Sequence, residues 1–502
     1  MAGVESAAHF LERAGLSFGL SQERLAALCR LSGEHPSLRR LLEHPEAGAA
    51  SLAVPHWLSL RRALWRYRLL REAAGGLDLD RLGPLEIAAA RFAARHPAGA
   101  GDEKRLRQAF LARAGHRLKH GRLRFAAASP AAALAPEVAR FAGHSESCAD
   151  VAAHRFFAAW RGVADRLLRP EVAPPDDAPS DGVDLPPALA PELEQAASRA
   201  VLEAVTARCE DEAIAQAADT LRTLLSRPAL TGPVGGLAAD GREIRTCVLG
   251  GEGEEEKAVF SRADVDGAMG WLAARGPQRV AIFVKAGAPG AAVIADRGEK
   301  KGLACEMARS AGLMRQAKGL GKNMLEAAAR VAARRARDPL EGYGDLPADE
   351  MGLGEYLDLL PREALRAALE DAREACVWER ERGTGSAAAD LAGPRHRPAV
   401  GLSDLRPGME LSGTVSNITG FGVFVELGLP LQGLIHVSEL SDRFVRHPSE
   451  VVRVGQQLRV RVLSLDLEKS RLSLTLRRDS TRRAERDKRQ EALSSLEKLF
   501  RK

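Results

Sequence analysis

The sequence predicts a multidomain protein with a mainly α-helical N-terminal half, an α/β middle domain and a C-terminal all-β barrel. Its 502 residues are enough for about three or four domains. Apolar residues between Trp57 and Ala74 recur close to a helical period, which is typical of an amphipathic helix. From Gly401 to Arg478, apolar residues instead alternate with polar ones between Gly and Asn turns, as they do in short strands.

Residues 1–168 are expected to form a helical region that Gly and Pro interrupt at intervals. The apolar stripe of its clearest helix comprises Leu60, Leu64, Trp65 and Leu69. Two interpretations are open for the arginines that flank this stripe: they contact nucleic acid, or they form the solvent side of a bundle helix, which the pattern favours. These arginines are Arg61, Arg62, Arg66, Arg68 and Arg71.

Changes in composition indicate linkers and further domains in the rest of the chain. Residues 169–192 form a Pro-rich acidic linker with seven prolines, a composition that excludes a helix interior. Connecting helices are predicted for 193–232, and residues 233–343 alternate short apolar strands with helices, as in an α/β domain. A helical segment (344–382), a second linker (383–400), the barrel domain (401–478) and a basic tail (479–502) complete the predicted order.

The alternating segment near the C-terminus predicts five short strands of a small closed barrel, an oligonucleotide-binding (OB) fold. Phe421 and Phe424 lie on either side of Gly422, and His436 follows the next turn. Rings displayed on a sheet in this way provide platforms for unpaired bases, each worth about 1–3 kcal/mol. The predicted ligand is single-stranded nucleic acid. The residues expected in the strands are Val415, Ile418, Val423, Val425, Val460, Val462, Leu472 and Leu474.

This segment resembles an S1 domain. The resemblance rests on Gly-Phe-Gly-Val-Phe-Val at 420–425, Gly-Leu-Ile-His-Val-Ser at 433–438, Val-Gly-Gln at 454–456 and Arg-Leu-Ser-Leu at 471–474. It implies an RNA-binding barrel. The alternative is that both phenylalanines are barrel core and the histidine is a packed residue, but the complete motif favours RNA binding. The RNA-facing residues that the resemblance implies are Phe421, Phe424, His436, Asp466 and Arg471.

The excess positive charge lies in the tail. The whole chain carries a formal net charge of +6. Residues 477–502 contain ten Lys/Arg and five Asp/Glu, which gives +5, whereas residues 401–476 contain eight of each, which gives zero. Two interpretations of the tail are equally open: it neutralises RNA phosphates and makes binding dependent on salt, or it is a solvated helix of mixed charge.

Membrane, secreted and zinc-binding classes are not indicated. The chain has no run of 18 apolar residues, and its first residues include Glu5 and Glu12, where a signal peptide would be basic and then apolar. Its six cysteines are scattered, without metal-ligand or disulfide spacing. We therefore expect a cytoplasmic protein with no cofactor and no membrane partner.

Several islands, in this order, are similar to the Tex family of bacterial transcription accessory proteins. They are 153–168 (AHRFFAAWRGVADRLL), 207–230 (ARCEDEAIAQAADTLRTLLSRPAL) and 333–377, which includes ARRARDPLEGY. The S1-like segment completes the order. The resemblance implies a YqgF-type, RNase H-like middle domain and a role as an accessory factor in transcription or RNA metabolism.

The chain departs from the Tex pattern at the position of its first acidic residue. RNase H-like nucleases hold divalent metal ions with carboxylates, and the first of these is replaced by Ala238. Asp240 follows two residues later, Glu306 matches a second acid, and Asp338 precedes a proline as a helix terminus would. We therefore predict a noncatalytic scaffold with no catalytic residue and no metal site. The segment between Val377 and Asp404 is also too short for the family's helix-hairpin-helix region.

Three hypotheses follow. The first is a noncatalytic RNA-binding accessory factor, for which DNA is left open as a second ligand. The second is a metal-dependent nuclease that uses Asp240, Glu306 and Asp338. The third is a protein-interaction platform in which residues 1–168 dock on RNA polymerase or the ribosome and the barrel adds avidity.

Overall fold

The computed structural model divides the chain into two compact units. The first comprises Met1–Arg222 and Leu353–Trp378, and the second comprises Thr223–Gly352 and Glu379–Lys502. The structure describes residues 7, 10–11, 21–35, 37–45, 52–74, 84–96, 100–133, 135, 141, 145–175, 189–250, 254–285, 290–321, 323–344, 346–354, 356–383, 405–419, 422–427, 432–441, 451–452, 457–466 and 471–477.

Helices account for most of the described backbone. In chain order they are α1 (Gln22–Glu34), α2 (Leu38–Glu43), α3 (Val54–Ala74), α4 (Pro84–Arg95), α5 (Ala100–His120), α6 (Pro130–Ala133), α7 (Ala153–Ala164), α8 (Ala190–Leu225), α9 (Val265–Ala273), α10 (Ala291–Lys300), α11 (Leu313–Lys318), α12 (Met324–Arg337), α13 (Pro339–Gly342) and α14 (Arg362–Glu381). Short 3₁₀ turns cover Ala348–Glu350, Leu357–Leu359 and Val437–Glu439.

The strands form three separate sheets. Strands β1 (Arg122–Ala127), β2 (Ser145–Ser147) and β3 (Leu168–Ala173) make a three-stranded sheet. Strands β4 (Val234–Ala239), β5 (Glu243–Leu249), β6 (Glu255–Ser261), β7 (Arg279–Val284) and β8 (Cys305–Met307) make a five-stranded sheet. Strands β9 (Glu410–Thr419), β10 (Gly422–Glu426), β11 (Gln432–His436), β12 (Gln457–Asp466) and β13 (Arg471–Thr475) close into a barrel.

Helix α3 lies in the core of the first unit. Leu60 and Leu64 of its predicted apolar stripe are buried and belong to the same cluster as Ala375 of α14. Leu69, expected on the same stripe, is 43% exposed, so the prediction is wrong for this residue. The arginines that flank the stripe do not all face solvent as expected: Nε of Arg61 donates to Asp371 at 2.7 Å, and both side chains are nearly buried. Arg66 pairs with Asp211 of α8. The reason is that α8 and α14 bring carboxylates to this helix, and a guanidinium removed from water needs such a partner.

A three-stranded sheet interrupts the region expected to be helical, and its last strand overlaps the start of the expected linker 169–192. Strand β3 pairs with β1 over six residues, and α8 already begins at Ala190. Pro170 is tolerated because β3 is an edge strand. Proline has no N–H to donate, and on the open side of an edge strand that N–H would have no strand to bond to. The helices expected over 193–232 are a single helix that ends at Leu225. Of the second linker, only Gly383 lies within the described residues.

The five-stranded sheet has the order β6-β5-β4-β7-β8. Strands β6, β5 and β4 are antiparallel, whereas β4, β7 and β8 are parallel. All six residues of the central strand β4 are buried. Helix α12 covers one face so closely that a Cβ on Gly236 would overlap the carbonyl oxygen of Ala329 and lie 3.0 Å from the Cβ of Ala333. This strand therefore requires a residue without a side chain at position 236.

The barrel confirms the five strands predicted from alternation. Its strand order is β10-β11-β13-β12-β9, and β9 pairs with β10 to close it. The predicted apolar positions fill its interior: Val415, Val423, Val425, Val460, Val462, Leu472 and Leu474 are all buried. Ile418 lies in β9, but its side chain lies outside the described residues.

Within the part of the chain that the structure describes, no helix combines the length and the apolar character needed to cross a membrane.

We expect Gly236→Ala to destabilise the second unit by about 1–3 kcal/mol, because the added methyl group must displace α12 from β4. Chemical denaturation followed by circular dichroism measures the change. Gly241→Ala is the matched control, since a Cβ there meets no atom within 4 Å. Equal stability of the two variants would contradict the close packing of α12.

Candidate nucleic-acid interface

The pleat of β10 determines where Phe424 lies. Its neighbours Val423 and Val425 are fully buried in the barrel interior. Because successive side chains of a strand point to opposite faces, Phe424 lies on the outer face, where it is half-buried. The register places it opposite Leu434 of β11. The alternative that Phe424 is barrel core is therefore wrong. Phe421 lies outside the described residues.

His436 is exposed at the end of β11, on the same face as Phe424. It pairs with Gly422, two residues before Phe424, so the two side chains are diagonal neighbours across the strands. A Cβ on Gly422 would overlap the carbonyl oxygen of Ile435 and lie 3.2 Å from the Cα of His436. The glycine between the two predicted phenylalanines thus allows β10 and β11 to approach closely at this histidine.

The hydrogen bonds of His436 orient its ring. His436 is the N-cap of the turn Val437–Glu439, and its Nδ1 accepts the backbone N–H of Ser438 at 3.3 Å. The hydroxyl of Ser438 lies 2.8 Å from the same nitrogen. An Nδ1 that accepts leaves the proton of the neutral imidazole on Nε2. Nε2–H of this exposed residue is therefore a donor suited to a phosphate or base oxygen.

Residues at the end of β13 and just after it hold this turn in place, and the sequence did not single them out. The buried hydroxyl of Thr475 donates to the carbonyl oxygen of Glu439 at 3.2 Å, and the backbone N–H of Leu476 donates to the same oxygen at 2.8 Å. Arg477 donates from Nη1 to the carbonyl oxygen of Ser438 at 3.1 Å. In the sequence, apolar and polar residues continue to alternate through Leu-Thr-Leu-Arg at 474–477. This pattern could have indicated Thr475 and Arg477.

Asp466 and Arg471 end one strand and begin the next. Their backbones are register partners in the β12–β13 hairpin, so the two positions lie directly across from each other. Their side chains lie outside the described residues. Of the five predicted RNA-facing residues, the structure thus brings Phe424 and His436 together, pairs the backbones of Asp466 and Arg471, and does not describe Phe421.

The acidic residues that the nuclease hypothesis assigns to metal binding instead contact other groups of the protein. Asp240 accepts the backbone N–H groups of Arg242 and Glu243 at 2.7 and 3.0 Å in the β4–β5 turn, and these bonds lower its pKa. Glu306 lies 3.5 Å from Arg279. No set of three His, Cys, Asp or Glu side chains within the described ranges is arranged to hold a metal ion.

Asp338 and Ala238 also have structural roles. Asp338 caps α13 by accepting the N–H of Glu341, and Arg380 donates to both of its carboxylate oxygens at 2.7 and 2.9 Å. Ala238, where the Tex pattern has its first acid, is fully buried in a cluster with Phe283 and the alanines of α12. A carboxylate at this position would lose its hydration among apolar groups.

Comparison with protein families identifies the barrel. Residues 404–477 match the family model described as the S1 RNA binding domain. The chain therefore carries an S1 domain with an OB-type barrel, and RNA binding is the function that this domain supports.

The same segment matches relatives that include a protein named Tex. It is 47% identical over 78 residues to "Protein YhgF" of Escherichia coli (strain K12) and equally identical to "Transcriptional accessory protein Tex" of Neisseria gonorrhoeae, covering 16% of this chain and 10% of each relative. It is 49% identical over 76 residues to "Small ribosomal subunit protein bS1" of Mycobacterium tuberculosis (strain CDC 1551 / Oshkosh), covering 15% of this chain and 16% of that protein. The chain thus spans a small part of these relatives, and over its S1 segment the resemblance to the Tex family is confirmed.

We expect Phe424→Ala to weaken binding of single-stranded RNA by about 1–3 kcal/mol, or roughly 5- to 150-fold, because one stacking platform is lost. Fluorescence anisotropy with a labelled oligonucleotide at fixed salt measures the affinity. Phe424→Tyr should bind normally, since it keeps the ring. Val259→Ala, which truncates a side chain that is 52% exposed on β6, is the control for loss of exposed apolar surface. Unchanged affinity of Phe424→Ala would remove this residue from the interface.

Proposed function

We propose that this protein, whose S1 domain is similar to that of Tex proteins, binds single-stranded RNA and acts as a noncatalytic accessory factor in transcription. The observation that carries the proposal is the outer face of β10 and β11, where the half-buried ring of Phe424 and the exposed imidazole of His436 are neighbours. A ring and a fixed donor match the two groups of an unpaired nucleotide, its base and its phosphate.

In the proposed binding mode, a base stacks on Phe424 and an RNA oxygen accepts the Nε2–H of His436. The turn after β11 supports this mode, because its bonds to Thr475 and Arg477 fix the direction of the imidazole. The resemblance to S1 domains adds Phe421, Asp466 and Arg471 as further contacts. DNA is a second candidate ligand because stacking on a ring does not depend on the sugar.

An RNase H-like fold is proposed for the five-stranded sheet and its helices. Its support is the sheet itself, in which an antiparallel meander (β6-β5-β4) is joined to parallel strands (β7 and β8). A noncatalytic role is supported by the buried Ala238 and by the ion pair that occupies Asp338. We therefore assign this domain a scaffolding role.

A docking role for residues 1–168 on RNA polymerase or the ribosome is the second candidate function. It is supported by the names of the relatives: one is a transcriptional accessory protein and another a ribosomal subunit protein. Pull-down with the full chain, compared with a chain that lacks these residues, tests it. Equal recovery of both machines by the two chains would remove the docking role and leave RNA binding untouched.

The noncatalytic assignment predicts no cleavage of labelled single-stranded or duplex RNA with Mg²⁺ or Mn²⁺, at protein concentrations where binding is complete. Gel electrophoresis over an extended time course measures it. Metal-dependent cleavage that is lost in Asp338→Asn would overturn the assignment and favour the nuclease. Cleavage that persists in this variant would show that Asp338 is not required for it.

We expect truncation after Arg478 to flatten the dependence of RNA affinity on salt. The removed residues 479–502 contain eight Lys/Arg and five Asp/Glu, a net charge of +3, and each lost phosphate contact lowers the slope of log K against log[salt] by about 0.7 for a single strand. Anisotropy titrations at several KCl concentrations measure the slope. An identical slope in the truncated chain would show that the tail does not contact RNA.

A further inference from the structure

The three-stranded sheet of the first unit has one covered face and one polar face. On the covered face, Leu123 and Phe125 of β1 are buried, and the ring of Phe125 lies 6.4 Å from that of Phe156 on α7. Side chains that alternate with these two point the other way. Arg122 and Arg124 are therefore on the polar face, and both are exposed.

The neighbouring edge strand adds a third arginine to this face. Arg169 of β3 is exposed and is the register partner of Ala126, which belongs to the same face of β1 as Arg124. Two residues along one strand are about 6.6 Å apart, and diagonal neighbours on adjacent strands are about 7–8 Å apart. Arg124 is thus a neighbour of both Arg122 and Arg169, and the three positions form a cationic surface, here called the arginine face (Arg122, Arg124 and Arg169).

The described outward positions of the three strands carry a net positive charge. Glu171 of β3 is the register partner of Arg124 and lies on the same face, so three arginines and one glutamate give +2. Within the described ranges, Arg124 and Arg169 have no ion pair. This differs from Arg61 and Arg66 of the same unit, which pair with carboxylates on other helices.

Arg122 is held in a fixed orientation. Its Nε donates to the hydroxyl of Ser145 at 2.7 Å, and its Nη2 donates to the carbonyl oxygen of the same residue at 2.7 Å. The guanidinium therefore lies along β2 with Nη1 directed away from these two bonds. An arginine held in this way loses less conformational entropy when it binds a phosphate oxygen.

We infer that the arginine face is a second RNA-binding surface, which contacts the phosphate backbone. The observations that favour phosphate over bases are the excess charge and the absence of any aromatic ring among the described outward positions of β1, β2 and β3. Such contacts position a strand without reading its sequence. The inference rests on the proposed function for the identity of the nucleic acid, but on none of the barrel's residues.

The test is a full-length double variant, Arg124→Ser with Arg169→Ser, titrated with labelled poly(U) and poly(A) at several KCl concentrations. The expected result is weaker binding to both probes and a salt slope lower by about 1.4, since two phosphate contacts at about 0.7 each are lost. Arg124→Lys with Arg169→Lys keeps the charges and should keep the slope. Arg30→Ser with Arg105→Ser is the matched control, because both arginines are exposed and the change in net charge is the same.

An unchanged slope in the double variant, or an equal change in the control, would overturn the inference. An effect confined to one of the two probes would also overturn it, because backbone contacts are independent of base. Phe424→Ala separates this inference from the proposed function. If it binds normally while the double variant loses affinity, the barrel assignment fails and the arginine face stands; the reverse pattern removes the arginine face alone.

Discussion

The pleat of a small closed barrel is the constraint on which the candidate RNA surface depends. Each side chain that fills the interior sends its neighbours outside, so the buried Val423 and Val425 set Phe424 on the outer face. The close approach of strands at Gly422 then sets His436 beside it. Aliphatic packing inside the barrel thus brings a ring and a hydrogen-bond donor together on its surface, and this pair is what the domain presents to a nucleotide.

In the barrel, close packing places a ring and a donor on the surface, whereas in the five-stranded sheet it leaves apolar residues where a charged group would need water. There the central strand is covered by α12 at a distance that Gly236 makes possible, and Ala238 is buried on the same face. This space can hold either a cluster of alanines or a pair of carboxylates that bind metal ions. The two exclude each other because an ionised group among apolar atoms loses its hydration without a compensating partner. The ion pair between Asp338 and Arg380 likewise uses a carboxylate to join structural elements.

Arginines in the first unit have two different roles, and their surroundings decide which. Arg61 is enclosed by helices and bonded to Asp371, 310 residues away in sequence, so it stabilises the packing of α3 against α14. Arg124 and Arg169 lie on a sheet whose other face is covered by α7, so their charges remain directed to solvent. The amino-acid type is the same in both cases. Only the elements packed around it differ.

The sequence by itself determined the barrel, its buried positions and the outward place of Phe424 and His436, because strand alternation is a local pattern. The resemblance to the Tex family also predicts an acid at the position of Ala238. Tertiary structure alone decided the three-stranded sheet and the pairing of Arg61 with Asp371. Strands β1 and β3 are short and far apart in sequence, and an ion pair across 310 residues leaves no periodic signal. Such contacts arise only when distant segments pack together, since burial makes each group require the other.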